Sequence, residues 1–74
     1  MVTETLDITK EHCPMTFVKT KLKLEKMSAG DILDVLLKEG EPLVNVPRTA
    51  AEQGHEILEV VNLQNDIYKV SIKV

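Results

Sequence analysis

Gly30-Asp31-Ile32-Leu33-Asp34-Val35-Leu36-Leu37-Lys38-Glu39-Gly40 is the stretch from which the fold is read. Between its two glycines, Ile32, Leu33, Val35, Leu36 and Leu37 form an almost continuous apolar run. A run this short, closed at both ends by turn residues, suits an interior strand over Asp31 to Lys38, covered on at least part of both faces. Such a strand needs other layers, and both neighbouring segments supply a helix. Before it, Pro14 to Met27 holds no Gly or further Pro and is rich in Lys and Leu. After it, Glu41 to Gln53 reads as a second helix, expected to be broken or delayed near its start by Pro42 and Pro47. Leu43, Val46, Ala50 and Gly54 keep helical spacing there, and Gly54 is placed to be a left-handed C-terminal cap.

Working outward, Thr3 to Ile8 mixes β-branched residues with alternating Leu6 and Ile8 and predicts a first strand. Glu56 to Leu63 predicts a third. In Ile67 to Val74, Tyr68, Val70, Ile72 and Val74 alternate with Lys69, Ser71 and Lys73, the period of a strand with one buried face. Gln64-Asn65-Asp66 would join these last two as a hairpin. The order is β-α-β-α-β-β. Right-handed crossovers make the first three strands parallel and the last antiparallel. The expected fold class is α+β, a two-layer sandwich with a four-stranded mixed sheet and two helices on one face, in a single domain over residues 1–74. This topology sends the end of the first strand, Lys38 to Pro42 and the hairpin turn to one edge of the sheet. Gly54 and His55 fall at the opposite edge.

Composition narrows the function. With 43% apolar and 28% charged residues the chain is expected to pack as a small soluble globule. Twelve acidic residues against nine basic ones give a formal charge of −3, which argues against a dedicated DNA or RNA binder. A single cysteine cannot form an internal disulfide. Residues 1–5 carry no basic head and apolar stretch of a signal peptide, and no apolar run is long enough for a bilayer. A cytoplasmic location is the expectation.

The candidate catalytic residue is Cys13. Pro is favoured in the first turn of a helix, so Pro14 makes Cys13 the cap or the residue beside it. Unpaired backbone N–H groups and the positive end of the helix dipole stabilise a thiolate there. Cysteines at helix starts can fall from a pKa of ~8.5 toward ~3.5–7.5. Lys10 and His12 add positive charge nearby and Glu11 opposes it. The plainer reading is a small inert buried cysteine, but the polar flank Lys10-Glu11-His12 points to exposure. His12 is either a proton shuttle or an ordinary loop histidine. His55, across the domain, makes a Cys-His protease dyad a poor fit. One Cys and two separated His have no metal-ligand spacing, and isolated Gly30, Gly40 and Gly54 do not form a phosphate loop. No cofactor or metal is therefore implied. The first helix carries two stripes: Phe17, Thr20, Leu24 and Met27 on one side, and Met15, Val18 and Leu22 on another. One must pack on the sheet. The other is either one or two stray apolar residues on a broad core-facing helix, the simpler reading, or a docking surface for a partner.

Leu6-Asp7, Cys13-Pro14, Gly30-Asp31 with Leu33 and Val35, Asn45-Val46-Pro47 and Gly54-His55-Glu56 occur in an order that resembles the TusA/SirA-like sulfur-carrier (sulfurtransferase) proteins. The resemblance runs from about the first strand to the last. It implies a β-α-β-α-β-β sandwich like the C-terminal domain of translation initiation factor three. It also implies that a Cys-Pro-x-Pro cysteine accepts sulfane sulfur from a persulfide donor and passes it on, in routes such as tRNA thiolation, cofactor synthesis or sulfur oxidation. On this chain the cysteine is Cys13 and its proline Pro14. Thr16 stands in place of the second proline, Lys10-Glu11-His12 replaces the usual Gly-Leu, and Asn45 stands where an acidic residue is frequent.

The expected function is thus a sulfur carrier that holds a persulfide on Cys13. It is a relay component rather than a free-standing enzyme. A donor protein of cysteine desulfurase or rhodanese type would load it and an acceptor protein would unload it, with neither membrane nor nucleic acid as direct partner. Two rivals differ in class. One is an interaction or regulatory module of the same fold, working through the exposed stripe of the first helix. The other is a thiol redox sensor resolved by an external thiol.

Overall fold

In the computed structural model, which describes residues 2–11 and 15–74, the elements are β1 (Thr3–Asp7), α1 (Met15–Lys26), β2 (Ile32–Lys38), α2 (Glu41–Glu52), β3 (Glu56–Gln64) and β4 (Ile67–Lys73). They form a four-stranded sheet in the order β1-β2-β4-β3. β1 runs parallel to β2, and β4 runs antiparallel to both β2 and β3. β1, β2 and β3 therefore share one direction, as the crossover topology requires. β4 reaches the middle of the sheet because it returns directly from β3 and slots beside β2.

β2 is the strand around which the core forms. Leu33, Val35 and Leu37 are completely buried, while Ile32, Asp34 and Leu36 on the other face are half-buried. Leu33 lies opposite Ile72 and Val35 opposite Val70, so β2 and β4 present one continuous apolar face. Leu24 of α1 and Val46 and Ala50 of α2 close over that face, with Ile8 sealing it beyond the end of β1. The open face mixes apolar Ile32 and Leu36 with polar groups. There Ser71 donates to Asp34 Oδ1 at 2.8 Å, and Lys69 pairs with Glu59 at 3.7 Å.

α2 departs from expectation at its prolines. Pro42 lies in its first turn, where no N–H is needed, and the helix runs unbroken through Pro47. Because Pro47 comes early, the donor it lacks strands only one carbonyl near the helix start, and Val46 and Ala50 on either side still bury. The C-terminus follows expectation. Gly54 adopts φ +90°, its N–H donates to the Ala51 carbonyl at 3.0 Å, and the His55 N–H donates to the Ala50 carbonyl at 3.0 Å. That pair of bonds is a Schellman motif, which occupies carbonyls the helix would otherwise leave free.

The two ends of the sheet are built differently. At one end Ile8 N–H donates to the Leu36 carbonyl at 2.9 Å, and Glu39 N–H donates to the Asp66 carbonyl at 2.7 Å. The segment after β1, the end of β2 and the β3–β4 turn therefore meet. At the other end Asp31 is a clamp: Oδ1 accepts from Val2 N–H at 3.1 Å and Oδ2 from Ser28 N–H at 3.0 Å. Gly30, at φ +93°, donates to the Val74 carbonyl beside it.

Candidate functional site

Cys13, with His12 and Pro14, lies outside the described residues. What the structure does describe is the frame on either side. β1 ends at Asp7, whose Oδ1 accepts from both the Thr9 N–H at 2.9 Å and the Thr9 hydroxyl at 2.7 Å. This is an Asx turn, in which a side-chain carboxylate replaces a backbone acceptor and bends the chain. The hydroxyl bond, then the backbone bond, hold the Asp7 carboxyl below its ordinary value of 3.8. Lys10 adds a smaller push in the same direction against a slight desolvation. Ile8 is buried and acts as the anchor of the segment, and the Glu11 N–H folds back onto its carbonyl at 3.1 Å. The chain thus leaves the sheet along a set path just before residue 12.

On the far side α1 begins at Met15. Thr16, Thr20 and Leu24 form its buried face, and the Thr20 hydroxyl donates to the Thr16 carbonyl at 2.8 Å, so this buried hydroxyl is satisfied within its own helix. Two ion pairs hold the helix in place. Lys23 Nζ binds Glu4 of β1 at 2.7 Å, and Lys19 binds the Glu11 carboxylate across the turn. The second pair bears on the chemistry. Glu11 is the nearby anion expected to oppose a thiolate at residue 13, and Lys19 offsets its charge. The spacing of eight residues across a turn hides this pair from a reading of the sequence.

The two stripes of α1 separate as the helix period requires. Thr20 and Leu24 are buried, with Phe17 and Met27 half-buried beside them, whereas Met15, Val18 and Leu22 are all exposed. Met15, Val18 and Leu22 thus make an outward-facing apolar stripe of three residues, more than the one or two strays of the simpler reading. Thr16, where the family pattern has its second proline, is buried in the first turn of α1. Asn45, where an acidic residue is frequent, faces away from the sheet and accepts from Arg48 Nη2 at 2.6 Å.

His55 lies with Gly54 just before Glu56, which pairs with Lys73, at the opposite end of the sheet from Ile8 to Glu11. The crevice between the helices, lined by Phe17, Leu24, Val46 and Thr49 among others, has a cavity volume of about 10 Å³, far below the roughly 300–1,000 Å³ of ordinary small-molecule sites. Among the described residues no helix is long and apolar enough to cross a membrane.

Comparison with known proteins agrees with this architecture. A SirA-like protein of Desulfitobacterium hafniense, known from a crystal structure, superposes with a TM-score of 0.82 at 24% identity, over 100% of this chain and 97% of that one, which establishes the shared fold. A relative from Archaeoglobus fulgidus is 43% identical over 95% of this chain and 80% of its own length, and one from Thermotoga maritima is 38% identical over 99% and 92%. Both bear the name "Putative sulfur carrier protein". The family model for sulfurtransferase TusA matches residues 4–74. With that match covering nearly every residue from β1 onward, this chain belongs to the sulfurtransferase TusA family.

Proposed function

We propose that the chain, acting as one domain over residues 1–74, carries sulfane sulfur as a persulfide on Cys13 and relays it between two proteins. The observation that supports this most is the family match over residues 4–74, in a chain whose one cysteine stands two residues before the start of α1. The Cys13 thiolate attacks the outer sulfur of a donor persulfide. A new S–S bond forms to Cys13, the donor S–S bond breaks, and the donor leaves as its thiolate. The product is Cys13–S–SH, whose ionised form gains from the same helix start as the thiolate. An acceptor then removes the outer sulfur by the same exchange and regenerates the thiol, so no net redox change is needed.

A carrier that meets both a donor and an acceptor needs an exposed surface rather than a cleft. Met15, Val18 and Leu22, on the turns of α1 that follow Cys13, form the apolar surface either partner would cover. A cysteine desulfurase or rhodanese-type protein fits the donor role, and the cytoplasm is the compartment where such a thiol stays reduced.

Intact-protein mass spectrometry tests the reading, after incubation with a cysteine desulfurase and cysteine without reductant. Wild type should gain the mass of one sulfur, reversibly with reductant, and Cys13→Ser should gain none while keeping its fold. Loading of Cys13→Ser, or failure of wild type with desulfurase, rhodanese and thiosulfate donors alike, rejects persulfide carriage. Partner binding that survives Cys13→Ser without any sulfur transfer would instead identify an interaction module.

A further inference from the structure

β3 is the longest strand and lies at the edge of the sheet, paired on one side with β4 alone. Edge strands expose a row of backbone N–H and C=O groups and are normally kept short or heavily charged. The opposite edge obeys that rule, because β1 has five residues and includes Glu4 and Asp7. β3 does not. Leu58, Val60, Val61 and Leu63 are all exposed on it, and its charges are Glu56 and Glu59 alone.

We propose that β3 is a self-association edge, pairing antiparallel with β3 of a second copy about a two-fold axis at Val60. The strand reads nearly as its own complement in that register. Val60 faces its twin, Glu59 falls opposite Val61, Leu58 opposite Asn62, Ile57 opposite Leu63, and Glu56 opposite Gln64. No carboxylate meets another, although like charges directly opposite would weaken such a pairing. The register irregularities of β3 lie between Ile57 and Glu59 and between Asn62 and Gln64. They bracket the central Glu59–Asn62 stretch and leave it regular. Bulges at an edge usually end pairing, and here they limit the ladder to the apolar centre.

A second observation comes from α2. Val46, Thr49 and Gln53 line the crevice toward α1. At 3.6 residues per turn, Val44 and Ala51 turn to the other side, toward the β3 edge. Val44 is 62% exposed, and Val60, on the helix-bearing face of the sheet, is 47% exposed. Apolar surface thus continues from the edge strand onto the helix above it. The pairing is isologous and closes on itself. It produces an eight-stranded sheet with the helices on one face, and the exposed α1 stripe of each copy remains free at its outer ends. It does not depend on Cys13.

Sedimentation equilibrium over a wide concentration range tests this. Wild type should pass from monomer to dimer mass. Val60→Lys, which faces its own twin, and Val61→Glu, which faces Glu59, are both at exposed positions and should weaken association by at least about tenfold through like-charge opposition, while Leu22→Lys on α1 should leave it unchanged. Amide exchange on wild type gives a reading free of any variant: protection of Glu59 to Asn62 should rise with protein concentration. A wild type that stays monomeric, a dimer unaffected by Val60→Lys and Val61→Glu, or protection gained only from an added extended peptide each overturns the proposal, the last by assigning the edge to a foreign strand.

Discussion

Asp7 governs how the chain leaves β1, because one carboxylate oxygen takes two bonds from Thr9. Its lowered pKa fixes the sign of a pH effect. A carboxyl that is more acidic folded than unfolded stabilises the fold above the unfolded value, and the contribution disappears as pH falls through the folded one. Asp7→Asn keeps an acceptor oxygen and removes the charge. The stability difference between wild type and Asp7→Asn should therefore be present at neutral pH and shrink below about 4, as thermal melts of both proteins across that range would show. If the gap persists unchanged in acid, the charge on Asp7 is not what holds the turn. An Asp two residues before Thr at a strand end is a recognisable Asx-turn signal, so this anchor was within reach of the sequence. Glu11–Lys19 and the Asp31 clamp were not, since each depends on two segments meeting in space. Cys13 is proposed from Pro14 and the family pattern alone.

The six elements were readable because each is closed by residues with a local mechanism. Gly54 is the strongest case: its Schellman bonds were implied by a glycine one helical turn beyond Ala50. A Cβ there would meet no atom within 4 Å, so Gly54→Ala tests backbone conformation alone. At φ +90° the substitution should cost about 1–2 kcal/mol, read as a lower urea midpoint with an unchanged slope. A neutral result would mean that the cap relaxes without loss. Pro47 was misjudged for an equally local reason, because a proline within a helix was weighed by its missing donor and not by the burial of Val46 and Ala50 around it. On α1 the sequence showed two stripes but not which one would be covered, since that depends on how wide the sheet is. The exposed stripe makes a kinetic prediction. Val18→Asp should raise the KM for a protein sulfur donor by about tenfold and leave loading from a small-molecule persulfide unchanged. An equal loss with both donors would place the defect in folding or at the thiol, not in docking.

At the scale of the whole molecule, a chain of 74 residues buries a smaller share of its surface than a larger domain and has little stability in reserve. Its fully or nearly fully buried apolar side chains form one cluster on one face of the sheet, fed by β2, β4, both helices and Ile8. Every element that frames residue 13 is attached to that cluster: Ile8 on the side of β1, and Leu24 on the side of α1. The frame thus depends on that cluster for stability, while its local geometry is set by the Asx turn and the two ion pairs. Leu33 is the test, being wholly buried at the centre of the sheet and far along β2 from the Ile8–Leu36 end. Leu33→Ala should lose about 2–5 kcal/mol, measured by urea unfolding, against a total of roughly 0.05–0.15 kcal/mol per residue for domains of this kind. Loss on that scale leaves a substantial unfolded fraction at physiological temperature. Sulfur loading per folded molecule should nevertheless stay near wild type, because the Asx turn and the two α1 ion pairs are untouched. If loading per folded molecule falls as well, the core does more than hold the frame together, and a loosened sheet reaches the thiol through Ile8.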